Sequence, residues 1–136
     1  MSHTVIQQSA SGVRRHVRRV VSVVTAAAAN GLGWAAGRLA HIDYVLQTPL
    51  GARHITVVMV IAATAISGLV GWAVSSLLER HASDPVRAWT TLAVVVLMLS
   101  ILPIFALRAS NDTRLALTAL HCLAAAILTA GLPQPR

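Results

Sequence analysis

The chain carries four long apolar runs that are separated by short polar links. The clearest run covers residues 55–78, which are 24 consecutive residues without Asp, Glu, Lys, Arg or His. At 1.5 Å per residue, a helix of that length reaches about 36 Å and can cross a hydrocarbon core about 30 Å thick. Arg53 and His54 precede the run and Glu79 follows it, so both edges are sharp. The pattern predicts a transmembrane helix.

Three further runs predict the other spans, over about residues 20–40, 89–107 and 115–132. Four spans with short links predict an all-α membrane protein, an up-and-down bundle of four transmembrane helices. Residues 1–12 are polar and have no periodic apolar face, so we expect a flexible tail there. Residues 13–136 would then form one transmembrane domain.

The longest link, over residues 41–54, is expected to lie in the membrane interface. Ile42, Val45 and Leu46 would form the apolar face of a short helix, with Tyr44 at the depth of the lipid headgroups.

Charged and aromatic side chains next to the spans are also expected at the interface. Asp43 would form an ion pair with Arg38 or Arg53, and Trp89 would anchor the start of the third span.

The first span is the weakest of the four, because Asn30 and several glycines interrupt it. Its arginines, its apolar stretch and the small triplet at 27–29 also fit a cleavable signal peptide. Apolar residues resume after Asn30, however, and this favours a membrane span.

The composition agrees with a membrane location. Hydrophobic residues make up 56% of the chain and charged residues 11%, whereas soluble domains usually contain about a quarter charged residues. The net charge is +7, and every basic residue that carries it is an arginine. These arginines lie at the ends of apolar runs, so the expected partner is the lipid bilayer and not a nucleic acid.

Four arginines lead into the first span, at Arg14, Arg15, Arg18 and Arg19. They either contact anionic lipid headgroups, at about 1 kcal/mol each, or act only as a topology signal. One side of the membrane would hold Arg14, Arg15, Arg18, Arg19, Arg80, Arg87 and Arg136. The other side would hold Arg38, Arg53, Arg108 and Arg114. The richer side is expected to be cytoplasmic, which places both termini inside.

Small residues recur at every fourth position in two of the spans. The first span carries Ala29, Gly33 and Gly37, and the second carries Ala63, Ser67, Gly71 and Ser75. Such stripes let two membrane helices approach closely, within one chain, in a homo-oligomer or with a partner membrane protein. Because Gly68 lies off the second stripe, Gly71→Leu is expected to be more damaging than Gly68→Leu.

Four polar residues reach similar depths inside the spans: Asn30, Thr64, Ser100 and His121. Ionisable residues at such depth usually face the interior of the bundle. One interpretation is a proton-titrating or ligand-orienting cluster around His121. The other is a neutral histidine that forms a structural hydrogen bond.

No cofactor, metal site or enzymatic activity is expected. A membrane haem needs axial ligands from two helices, and only His121 lies inside a span. His41, Asp43 and His54 have suitable types for a metal but no tight spacing. Cys122 is the single cysteine, so no intrachain disulfide can form.

Several short segments resemble a group of small four-span membrane proteins of actinobacteria, a family of unknown function. The resemblance covers about residues 20–133. It is carried by residues 38–44, Gly71-Trp72, residues 77–80, residues 87–90, Leu120-His121 and the Gly-Leu at 131–132. The chain departs from the family at Ala130, where a proline is expected. The resemblance implies four helices and an actinobacterial plasma membrane, and it implies no activity.

The leading hypothesis is therefore a non-enzymatic integral membrane protein, with a role in helix packing, self-association or as an accessory subunit. The alternative is a small oligomeric transporter or channel that uses the polar cluster around His121.

Overall fold

The computed structural model describes residues 2–132, with side chains described from residue 12 onward. Four helices and one β-hairpin make up this part of the chain. They are α1 (Ser2–Leu39), β1 (Val45–Thr48), β2 (Gly51–His54), α2 (Val57–His81), α3 (Pro85–Ala106) and α4 (Asn111–Gly131). Arg136 lies outside the described residues.

All four helices are long and apolar enough to cross a membrane, and they pack together. The candidate spans, by length and composition, are Gly12–Leu39, Val57–His81, Pro85–Ala106 and Asn111–Gly131. The predicted fold, an all-α membrane protein with four packed helices, is confirmed.

Helix α1 extends back to Ser2, through the segment in which the sequence predicted a flexible tail. Once a helix exists, each further residue adds one hydrogen bond, so a polar extension needs no apolar face of its own.

Polar side chains determine where three of the helices begin. Thr56 accepts a hydrogen bond from the backbone N–H of Met59 at the start of α2. The Asp84 side chain likewise accepts a hydrogen bond from a backbone N–H at the start of α3, where Pro85 takes the first helical position. Ser110 is the corresponding cap of α4. These caps satisfy backbone donors that have no partner within the helix.

The link between α1 and α2 forms an antiparallel hairpin, so the prediction of a short interfacial helix is wrong. His41 and Tyr44 both have positive φ, at 61° and 51°, and this left-handed backbone cannot continue a helix. The turn is closed at Gly51, whose φ of 114° suits glycine. The hairpin also contacts the α3–α4 link, because Gln47 N–H donates to the carbonyl of Arg108 at 2.8 Å.

Helix α1 lies against both α2 and α4, and α3 lies mainly against α4. The packed side chains form two clusters along the bundle. One cluster contains Val23, Ala26, Trp89, Leu128 and Leu132. The other lies under the hairpin and contains Tyr44, Val60, Ile104, Leu117 and Leu120. Helices α2 and α3 pack less extensively with each other, and a cleft remains between them.

Candidate functional site

The α2–α3 cleft is a cavity of about 610 Å³ with mostly apolar walls. Helices α2, α3 and α4 supply most of these walls, and Asn30 of α1 also lines the cavity. All four residues of the predicted polar cluster line it: Asn30, Thr64, Ser100 and His121. The four residues therefore share one cavity, which Ser67, Trp89 and Thr129 also line.

A hydrogen bond between two helices forms the floor of the cleft. Asn30 Nδ2 donates to Thr64 Oγ1 at 2.9 Å, and the two residues are only 4% and 6% exposed. Thr64 in turn donates its single hydroxyl proton to the carbonyl of Val60 at 2.8 Å. Because Thr64 then has no proton left, Asn30 must present its amino group to Thr64, and this fixes the orientation of the amide.

The other side of the Asn30 amide is unsatisfied. Its Oδ1 atom is buried and has no hydrogen-bond partner within the described residues. Most buried side-chain polar atoms have a partner, so an orphaned acceptor calls for a specific explanation.

Ser100 and His121 bond to their own helices. Ser100 donates to the carbonyl of Leu97 at 2.8 Å, and His121 Nδ1 donates to the carbonyl of Leu117 at 2.8 Å. Since Nδ1 carries the proton in this bond, Nε2 of the neutral imidazole is an acceptor. The structure thus brings four polar residues to one cleft but links only Asn30 with Thr64.

In α1, two of the three predicted packing residues provide room for neighbouring side chains. A Cβ on Gly33 would lie 2.7 Å from Leu120 of α4, and a Cβ on Gly37 would collide with the hydroxyl of Tyr44. Ala29, the third member, is half-buried.

The small stripe of α2 is divided between two environments. Gly71 and Ser75 are buried, whereas Ala63 and Ser67 are exposed on the cleft. Gly68, which the sequence placed off the stripe, is buried against Val23 of α1. Gly68 is therefore packed as well as Gly71, because α1 and α3 contact α2 from different directions, and its place off the stripe gives no reason to expect Gly68→Leu to be milder.

The arginines before the first span do not share one environment. Arg14, Arg15 and Arg18 are exposed, and Arg18 also donates to the carbonyl of Ala130. Arg19 is only 5% exposed, so its predicted contact with lipid headgroups is wrong.

Arg19 instead joins three helices. It forms an ion pair with Glu79 at 2.5 Å and donates to Ser76 Oγ at 2.8 Å. It also donates to the carbonyl of Leu132 at 3.4 Å, after the end of α4. Sequence reasoning missed this network because Arg19 is one of four similar arginines. Only its burial in the folded chain, which the sequence does not show, distinguishes it from the other three.

The hairpin end contains the predicted ion pair between Arg38 and Asp43, at 3.4 Å. Tyr44 is 1% exposed and stacks on Trp34 with ring centroids 5.8 Å apart, so it is packed inside and not among headgroups. Burial raises the pKa of the Tyr44 phenol, and the nearby Arg38 opposes that effect.

Trp89 does not act as an exposed anchor. It is buried, and its ring lies against Gly71, where a Cβ would come within 2.9 Å of Cη2. Its indole N–H has no partner within the described residues.

Within residues 12–132, no group of three or more His, Cys, Asp or Glu side chains could hold a metal ion. The candidate set His41, Asp43 and His54 therefore does not converge.

No curated protein and no solved structure is detectably similar to this chain. One family does match, described as a family of unknown function (DUF6069), and the match covers residues 10–136. Since this range is nearly the whole chain and includes all four apolar helices, the chain belongs to the DUF6069 family of unknown function.

Proposed function

We propose that this membrane protein is non-enzymatic and that it self-associates, or serves as an accessory subunit, through the open side of the α2–α3 cleft. The observation that carries the proposal is the exposure of Ala63 and Ser67 on the rim of the cleft. Small residues at a helix surface let another helix approach closely, and these two are not used for packing within the chain.

The polar side chains inside the spans support a packing role over transport. Ser100 and His121 each donate to a carbonyl of their own helix, and Asn30 and Thr64 bond to each other. A bond between helices, such as that of Asn30 with Thr64, stabilises membrane helices by about 0.6 kcal/mol on average, and none of these bonds needs a proton transfer.

The proposed location is an actinobacterial plasma membrane, with both termini in the cytoplasm. Contacts near one end of the bundle support the grouping of the basic residues, since Arg19 meets Glu79 and Arg18 meets the carbonyl of Ala130. This end carries more arginines than the hairpin end, and the richer side is normally cytoplasmic.

A reporter fusion tests the orientation. A reporter that is active only outside the cell should stay silent after Arg136 and become active when inserted in the hairpin turn at Leu50. Activity after Arg136 would overturn the orientation.

Energy transfer between two labelled populations tests the association. Copies with donor or acceptor tags at the C-terminus should show transfer in lipid vesicles, and the transfer should fall as lipid is added. Ala63→Leu should weaken the association about tenfold or more, because overpacking a close helix contact costs about 1–3 kcal/mol.

Ala62→Leu is the matched control, because Ala62 is exposed but lies outside the cleft. It should leave the transfer unchanged. Equal effects of the two variants, or a monomer at every lipid ratio, would contradict the proposal.

A further inference from the structure

Four polar residues form the floor of the α2–α3 cleft, Asn30, Thr64, Ser100 and His121, and they offer hydrogen-bond acceptors and no free hydroxyl proton. Ser67, Trp89 and Thr129 line other parts of the cavity. The protons of Thr64, Ser100 and His121 Nδ1 are all given to carbonyls of their own helices. Two acceptors of the floor are left without a donor. One is Asn30 Oδ1, which is buried and has no partner within the described residues, and the other is His121 Nε2. An acceptor left bare in hydrocarbon is costly, so a donor from another molecule would be favourable here.

We propose that this floor binds a neutral, membrane-soluble alcohol. Its hydroxyl donates to Asn30 Oδ1, and its apolar body fills the cleft between α2 and α3. The site goes beyond the proposed association, which uses the exposed rim at Ala63 and Ser67 and not the floor.

The chemistry of the floor decides against other ligand classes. A ketone, ester or ether brings only acceptors and would leave Asn30 Oδ1 unpaired. An ammonium group would need a counter-charge, and the cleft is lined by no Asp or Glu side chain among the described residues. A neutral hydroxyl supplies the donor without a charge.

Depth in the membrane also favours a molecule that is soluble in lipid. Asn30 lies nine residues before the end of α1, which is about 14 Å along the helix axis. Thr64 lies seven residues into α2, about 10 Å from its start. The hydroxyl therefore has to be carried below the interface on an apolar body.

The volume of the cleft separates a small molecule from a helix. The cavity measures about 610 Å³, within the range of about 300–1,000 Å³ that small-molecule sites occupy. A transmembrane helix about 10 Å across and 30 Å long fills roughly 2,000 Å³. The cleft has room for a chain or a ring system, and a partner helix can lie only against its rim.

Photolabelling of the full chain in lipid nanodiscs tests the proposal. The probe is a long-chain alcohol that carries a diazirine, and the competitors are 1-dodecanol and dodecane at equal mole fractions. We expect the label on α2 and α3, and we expect 1-dodecanol to compete about five- to tenfold better than dodecane. One net hydrogen bond accounts for a preference of this size.

Asn30→Leu removes the acceptor at similar side-chain volume and should reduce the preference to less than about twofold. Asn111→Leu is the matched control, because Asn111 is exposed at the start of α4 and lies outside the cleft. It should keep the full preference. The comparison of the two competitors on the unaltered chain stands even if Asn30→Leu fails to fold.

Equal competition by 1-dodecanol and dodecane would overturn the proposal, since the cleft would then take only apolar chains. Full preference in Asn30→Leu would overturn it as well. If Asn30→Leu abolished energy transfer between copies and left labelling intact, the occupant would be a partner helix. Asn30→Leu should lose the preference for the alcohol and keep the energy transfer, because Asn30 is buried at the floor and lies away from the exposed rim, so the two proposals fail separately.

Discussion

The interface that α1 forms with α2 and α4 is closed, whereas α2 and α3 leave a cleft, although small residues line both regions. At the closed interface Gly68 lies against Val23 and Gly33 lies against Leu120. At the cleft, Ala63 and Ser67 are exposed. The difference teaches that a small-residue stripe provides room for a close contact but does not specify which neighbour uses it.

The largest loss of stability is expected from a substitution at the charged end of the closed interface. Arg19→Met should destabilise the protein by about 3 kcal/mol, because it removes one partner of a buried ion pair. The value lies at the low end of the usual range since the side chain of Glu79 keeps 18% of its surface exposed. Thermal unfolding in detergent measures the effect.

Two further variants control this result. Arg18→Met should be nearly silent, because Arg18 is exposed and its removal leaves no buried charge. The double variant Arg19→Met with Glu79→Gln should be more stable than Arg19→Met alone. A double variant that is no better would mean that the ion pair is not the source of the loss.

The next largest loss of stability is expected at two glycines that lie on different sides of α2. Gly68→Leu and Gly71→Leu should each cost about 1–3 kcal/mol, because added atoms would press on Val23 and on Trp89 respectively. Ala73→Leu, on the exposed face, should cost little. If only Gly71→Leu is damaging in thermal unfolding, Gly68 is not packed tightly against Val23, and α1 and α2 lie further apart at this point.

A smaller effect concerns the packed hairpin end. Because the pKa of the Tyr44 phenol is raised, the folded protein binds that proton more tightly than the unfolded chain. The contribution is complete below about pH 10 and is lost as the pH rises through the folded pKa. Tyr44 is the only tyrosine, so absorbance of the ionised phenol reports it directly.

Tyr44→Phe serves as the control for this pH dependence. Its stability should vary less above about pH 10 than that of the unaltered chain. An ionisation of Tyr44 below about pH 10 would contradict the burial of the phenol.

The smallest effect concerns the polar residue of the open cleft. His121→Gln should change stability by less than about 0.6 kcal/mol, since one hydrogen bond to its own helix is at stake. His121→Leu should cost little more. If both variants abolish a measurable function while stability is kept, His121 has a functional role and the packing account is wrong.

Four spans and their order could be predicted from apolar run length, and depth alone grouped four of the polar residues that line the cleft. The hairpin could not, because its apolar residues fit a short helix equally well and only the backbone at His41 and Tyr44 excludes one. The role of Arg19 could not be predicted either. Four neighbouring arginines look alike in sequence, and burial depends on how α2 and α4 meet α1.

The direct test of the open cleft is carbene footprinting of the unaltered protein in a bilayer, at a lipid ratio so high that energy transfer between copies has disappeared. A small apolar diazirine should label Ala63 and Ser67, which are exposed, and should spare Thr64, Gly68 and Ser75, which are buried. Mass spectrometry of α2 fragments separates these positions. Strong labelling of the first two residues and protection of the other three is the predicted result. Protection of Ala63 and Ser67 as complete as that of Ser75 would mean that α2 and α3 close together, and it would contradict the account.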